Sequence, residues 1–245
     1  MPSKTTPSTV PAHPVAFTAG LPFTLGSPTP YWIDVSSAYD ATHATPTTLF
    51  VWLHGCGGLS SGDISTIAPP ADRPYIAVAV GGREGSCWDP DADQATVLAA
   101  IADVKTHFNI NPRRVVLGGY SSGGDLAYRT AFYDAKAFAG ILVENTSPFR
   151  DTGSSQSASL AAAAWKFHIV HLAHLQDMTY PIAGVRAETG ALQTAGFPIT
   201  RIERDGTHYD DAGAIVNGGP VPGTDADLVT YLLPRLADGW LAPAA

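Results

Sequence analysis

The chain has 245 residues, 45% of them hydrophobic and 15% charged, a composition able to bury a large core and unlike that of a disordered segment. With 14 Lys and Arg against 22 Asp and Glu the net charge is −8, which argues against nucleic acid as a partner, because phosphate binding needs concentrated cations. No apolar run approaches the roughly eighteen residues that cross a bilayer, and lysine occurs only at Lys4, Lys105, Lys136 and Lys166, so no membrane span or polybasic anchor is expected.

The first twenty residues carry Pro2, Ser3, Thr5, Thr6, Pro7 and Ser8 and lack the apolar segment of a secretory signal. Residues 1–20 therefore read as a flexible leader, before a single domain over residues 21–245. Tyr31 to Val35, Thr48 to Leu53 and Tyr75 to Val80 read as strands, the second as a near-continuous apolar run suited to burial on both faces. Val97, Ile101, Val104 and Phe108 recur at helical spacing, which predicts a helix over Asp93 to Phe108, broken by Asn111-Pro112. Beyond it a strand is expected at Arg114 to Gly118, a helix at Ser122 to Tyr133, and strands at Phe138 to Val143 and Trp165 to Leu172. A helix over Ile182 to Ala195 closes at Gly196, a strand follows at Ile199 to Arg204, and a last helix lies near Asp225 to Leu236. Strand and helix alternating from residue 48 onward imply right-handed crossovers and an α/β fold. Its sheet should be mostly parallel and covered on both faces, with no large cap domain. Residues 145 to 164 form the one long insertion and the one candidate cover.

Gly119-Tyr120-Ser121-Ser122-Gly123 follows the apolar strand Val115-Val116-Leu117 and precedes a helix-forming run. That is the context of a nucleophile elbow, in which a sharp turn lifts the serine clear of the sheet. A serine hydroxyl is a weak nucleophile and needs a histidine base with a carboxylate to fix its tautomer, here expected in the order Ser, acid, His. His208 lies just past the last strand, whereas His168 and His171 fall inside one and read as core. Asp177 is the only carboxylate between Asp151 and Glu188 and follows the strand ending at Leu172. Asp205, Asp210 and Asp211 are its rivals. An oxyanion also needs fixed N–H donors. The backbone of Ser122 supplies one. His54-Gly55-Cys56-Gly57-Gly58, after the strand ending at Leu53, supplies the other, with Cys56 preferred and Gly57 behind it.

Cys56 and Cys87 are too few for a disulfide scaffold or a zinc site, and as a pair they read either as free core thiols or as one local bridge. His54-Gly55-Cys56, Ser86-Cys87-Trp88-Asp89, Gly119 to Gly124, Asp177 with Pro181, and Gly206-Thr207-His208 together resemble the polyhydroxybutyrate depolymerase and feruloyl esterase group of α/β-hydrolases. The similarity spans about residues 21 to 240 and departs from the group where His174-Leu175-Gln176-Asp177 replaces its usual His-Gly-x-x-Asp. The resemblance implies the α/β-hydrolase fold, secretion, no metal or organic cofactor, and hydrolysis of esters through an acyl-enzyme. Polymeric and plant cell-wall esters belong to that substrate class. Rival readings are a catalytically silent binding protein and a small peptidase on the same fold.

Both cysteine loops should leave the carboxyl edge of the sheet, which favours a Cys56–Cys87 bridge. Trp88, Tyr120, Phe149 and Tyr209 are the aromatic candidates for a substrate rim. They point to short or aromatic acyl esters, feruloyl-type and hydroxyalkanoate esters first.

Overall fold

A computed structural model describes residues 10–151 and 153–244. The leader residues before position 10 lie outside the described residues. Those from 13 to 20 are tied to the body: the His13 N–H donates to Thr106 O at 2.8 Å and Gly20 N–H to Val35 O at 3.2 Å. Phe17 packs edge-on against Tyr39 and Phe108. A leader reaching to Gly20 therefore overstates its length, because Phe17 finds an apolar seat.

Strands β1 (Phe23–Leu25), β2 (Tyr31–Val35) and β3 (Thr47–Leu53) are followed by a short helix α1 (Ser60–Thr66), β4 (Tyr75–Val80) and α2 (Pro90–His107). Next come β5 (Ile110–Tyr120), α3 (Ser122–Tyr133), β6 (Gly140–Glu144), α4 (Gln156–Ala162), β7 (His168–His174), α5 (Ile182–Thr194) and β8 (Ile199–Arg204). A two-stranded ribbon, β9 (Ile215–Val216) and β10 (Gly219–Pro220), precedes the last helical segment. The eight-stranded sheet runs β1-β2-β4-β3-β5-β6-β7-β8. Pairs from β4–β3 to β7–β8 are parallel, and β1 and β2 join antiparallel at one edge. All residues of β3, β4 and β6 are buried, as continuous apolar runs between two helix layers require. On one face Val97, Ile101, Leu126, Tyr128 and Leu192 of α2, α3 and α5 pack on the sheet. On the other lie Ile64 of α1 and the apolar stripe Leu228, Leu232 and Leu236 of the C-terminal segment.

Several boundaries differ from the sequence expectation for local reasons. Helix α2 begins at Pro90 because Asp89 caps it, accepting from the N–H groups of Asp91 and Ala92, and proline suits the first helical turn. Asn111-Pro112 ends that helix yet lies inside β5, where the pairing with β3 shifts register between Thr47 and Leu49. The C-terminal helix is not uniform: α6 (Thr224–Asp227) widens into a π-helical stretch, Leu228–Leu232, and then tightens to 3₁₀ over Leu233–Ala237. Pro234 accounts for the change, since it has no N–H for the α-helical ladder. The loops after β3, β5, β6, β7 and β8 all open at the carboxyl edge of the parallel strands.

Candidate active site

Ser121 sits between the end of β5 and the first turn of α3 with φ 53° and ψ −124°. A non-glycine residue in that region is strained by about 1–3 kcal/mol, so the turn must be held from outside. The glycines on either side make this feasible. A Cβ on Gly119 would run into the backbone of Gly123, and one on Gly123 into the carbonyl oxygens of Leu53 and His54. Strand, elbow and helix can close up only because both positions lack a side chain.

Asp177 Oδ2 lies 2.9 Å from His208 Nδ1, and His208 Nε2 lies 2.9 Å from Ser121 Oγ. An ionised carboxylate only accepts, so Nδ1 carries the proton and donates, and Nε2 is left to accept from the serine hydroxyl. The other Asp177 oxygen takes the N–H groups of Thr179 at 2.7 Å and Tyr180 at 3.0 Å, which locks the carboxylate. Asp210, a sequence rival, instead turns into its own loop and accepts from Thr207 N–H at 2.6 Å and Thr207 Oγ1 at 2.7 Å. Three residues 56 and 31 positions apart thus meet at one edge of the sheet.

In the His54-Gly55-Cys56 loop, Gly57 N–H is taken by Ser86 O at 3.3 Å and Gly58 N–H by Gly55 O at 3.0 Å. That favours Cys56 over Gly57 as the candidate donor, beside Ser122, whose N–H heads α3 and has no partner within the helix. Cys56 lines the same cleft as Ser121. A Cys56–Cys87 disulfide ties this loop to the one after β4, and Gly85 N–H donates to Gly58 O at 2.9 Å alongside it.

Trp88 does not form the rim expected of it. It is buried, its Nε1–H donates to His54 O at 2.8 Å, and its ring lies tilted against that of His54, with centroids 4.7 Å apart. The indole N–H turns inward to that carbonyl, making Trp88 a brace of the His54-Gly55-Cys56 loop. Phe149 is displaced too. It lies flat on Phe132 at 5.8 Å and lines a separate groove of about 340 Å³ with Arg150, Tyr180 and Pro181. Tyr120 and Tyr209 do line the cleft beside Ser121. The Tyr120 hydroxyl also donates to His208 O at 2.8 Å, with its ring 5.2 Å from the imidazole.

That cleft has a volume of about 460 Å³. Among the described residues of 145 to 164, the expected cover, none walls the cleft; Leu160 and Phe149 of that segment pack on the core and Arg129 Nη1 holds Asp151 O at 3.0 Å. The walls come instead from Asp63 and Thr66 of α1, Thr224 and Asp225 of α6, Leu228, Trp52, Glu144 and the two tyrosines.

Sequence reading passed over several residues that hold the site. Asn145, at φ 45°, donates to His208 O at 2.8 Å and accepts from His174 N–H at 2.8 Å. Asp125, in the first turn of α3, accepts from the Tyr180 hydroxyl at 2.6 Å, from Thr146 Oγ1 at 2.6 Å and from Ser147 N–H at 2.9 Å. Burial pushes its carboxyl up to about 6, against the pull of those donors. Tyr180 packs with its ring 5.6 Å from the His208 ring. Its position three residues after Asp177 is the one signal that was available.

Neither a protein-family model nor a curated protein sequence matches the chain. Solved structures do. A CE1 ferulic acid esterase from Anaeromyces mucronatus, in complex with ferulic acid, superposes with a TM-score of 0.67 over 89% of this chain and 93% of its own, at 12% identity. A thermostable esterase matches at a TM-score of 0.59 and 19% identity over 76% of this chain. The acylaminoacyl peptidase of Pyrococcus horikoshii matches at 0.64 and 15% identity over 92% of it. The fold is that of the α/β-hydrolases. The chain spans 54% of that thermostable esterase and 42% of the peptidase, so their activities are not carried over by the likeness alone.

Proposed function

We propose that this α/β-hydrolase-fold protein is a serine carboxylic-ester hydrolase working through an acyl-enzyme. The observation that carries the reading is the pair of 2.9 Å hydrogen bonds joining Asp177, His208 and Ser121 at the carboxyl edge of the sheet. Attack of Ser121 Oγ on an ester carbonyl sends its proton to His208 Nε2 and forms the new C–O bond. The carbonyl oxygen becomes an oxyanion beside the N–H groups of Cys56 and Ser122. As the C–O bond to the alcohol breaks, His208 returns the proton to the departing oxygen. Water then repeats the sequence on the acyl-enzyme and frees the acid. Asp177 holds the Nδ1–H, so the neutral imidazole accepts at Nε2 and the imidazolium formed during transfer is stabilised, and Tyr120 and Asn145 hold its loop by the His208 carbonyl.

Short and aromatic esters fit a cleft walled by Tyr120 and Tyr209 better than long acyl chains do. The Anaeromyces enzyme is a ferulic acid esterase, so methyl ferulate and hydroxybutyrate oligomers head the panel. The Cys56–Cys87 bridge favours an extracytoplasmic setting. The deciding experiment is turnover of p-nitrophenyl acetate and butyrate together with labelling by a fluorophosphonate. Hydrolysis with the label on Ser121 is the expected result; no turnover and no labelling would return the protein to a binding role.

A further inference from the structure

Ser121 and His208 line the 460 Å³ cleft, and the rest of its lining has a different character. Apart from His208 and the two tyrosines, every titratable side chain lining it is a carboxylic acid, and no lysine or arginine is among its described walls. Helix α1 brings Asp63 there because Glu84, from the loop after β4, accepts the backbone N–H of Ser60 at 2.9 Å. Asp63 itself receives one hydrogen bond, from Trp52 Nε1–H to Oδ2 at 2.8 Å. Asp225 approaches from α6. Glu144, at the end of β6, is 1% exposed, and its Oε1 has no hydrogen-bond partner. His174 Nε2 lies 3.6 Å from that oxygen but 3.2 Å from Asp227 Oδ2, and its Nδ1 is bonded to Thr207 O at 2.7 Å.

We infer that this cleft takes a primary ammonium group carried on the ester, held by Asp63 and Asp225 beside Trp52, Tyr120 and Tyr209, with the buried, unpartnered Glu144 carboxyl behind them. The inference rests on the esterase reading and names its substrate class. The carboxyl oxygens of Asp63 and Asp225 offer acceptors to the N–H donors of an ammonium, and aromatic rings beside them add cation–π attraction. The groups also disturb one another in the empty cleft. Burial lifts Asp63 to about 6, with Asp225 and Glu84 adding to the rise. Burial likewise raises Glu144 well above the carboxylate range, with Asp227 and Asp225 contributing, and Asp225 is raised by burial and by Asp211. A hydroxyl would satisfy acceptors, but only a cation also removes that repulsion.

The test uses two matched series, one for each side of the ester bond. The first is 5-aminopentyl, 5-hydroxypentyl and hexyl acetate; the second is the methyl esters of 6-aminohexanoic, 6-hydroxyhexanoic and heptanoic acid. In one series the ammonium ester should exceed both partners in kcat/KM by about tenfold, or roughly 1.4 kcal/mol, chiefly through KM. Asp63→Asn and Asp225→Asn should each shrink that ratio several-fold, and high salt should weaken it. Equal rates for the ammonium and hydroxyl esters, or no charge preference in either series, would overturn the inference while leaving the esterase standing. Absence of turnover on all six and on p-nitrophenyl acetate, with Ser121 unlabelled, would overturn the esterase reading and this one with it.

Discussion

Two polar regions meet at Ser121 and are built on opposite principles. On the His208 side both ring nitrogens, the backbone carbonyl and both oxygens of Asp177 are hydrogen-bonded. On the cleft side Asp63 has one donor, Glu144 Oε1 has none, and the carboxylic acids raise one another's proton affinity. A satisfied network fixes geometry before substrate arrives, which is what chemistry at the serine demands. An unsatisfied one costs stability until a ligand completes it. The contrast predicts that changes on the first side lose activity or stability, while at least one change on the second gains stability.

The largest effect belongs to Ser121. Ser121→Ala should lower kcat for p-nitrophenyl acetate by about 10⁵, with denaturant unfolding showing an intact fold. Asp177→Asn comes next and is informative about orientation. The two backbone N–H groups on Oδ1 require the asparagine to present its oxygen to them, which turns its NH₂ toward His208 Nδ1. The imidazole is then driven to the tautomer that carries hydrogen on Nε2 and cannot accept from the serine. A loss of roughly 10³ to 10⁴ in kcat is expected, and a loss below tenfold would make Asp177 a bystander.

The two regions were unequally legible in the sequence. The elbow is local: an apolar strand, Gly119 to Gly123, and a helix follow one another without a break, and α3 lies at the predicted Ser122 to Tyr133. Asp177 and His208 could be picked out because each follows a strand and few rivals stand nearby. The cleft is not local. Asp63 and Asp225 are 162 positions apart, each inside a short helix that lacks apolar periodicity, and Glu144 looks like the polar end of a strand. Only the sheet order brings them to one space. Trp88 failed for a related reason: its neighbour Cys87 locates the loop, but the inward turn of the indole depends on the His54 carbonyl 34 residues earlier.

The disulfide tests how far the closed region depends on its brace. The bridge closes a 31-residue separation, for which loop-closure entropy gives roughly 3 to 4 kcal/mol. The double variant Cys56→Ser, Cys87→Ser should lose about that much in urea unfolding. It should also lose kcat, since Cys56 lies at the candidate oxyanion site and its loop would be held only by Trp88 and two backbone hydrogen bonds. Loss of stability with kcat fully retained would show that Trp88 and those two hydrogen bonds fix the loop without the bridge.

The smallest effect has the opposite sign and tests the open region. Asp63 titrates near 6 in the folded protein, against 3.8 for an ordinary aspartate, because burial opposes its charge. The folded state therefore binds the proton more tightly than the unfolded state, and the penalty is largest above the folded value. It shrinks as pH falls from about 6 toward 4 and is absent below that. Asp63→Asn keeps an acceptor for Trp52 and removes the charge. At pH 8 it should raise stability by roughly 1 to 2 kcal/mol, less than the full shift implies because the amide accepts more weakly than a carboxylate. At pH 4 the two proteins should unfold at the same urea concentration. A variant less stable than the parent at pH 8 would mean that the Trp52 hydrogen bond outweighs the charge repulsion, and the two sides of Ser121 would then not differ in kind.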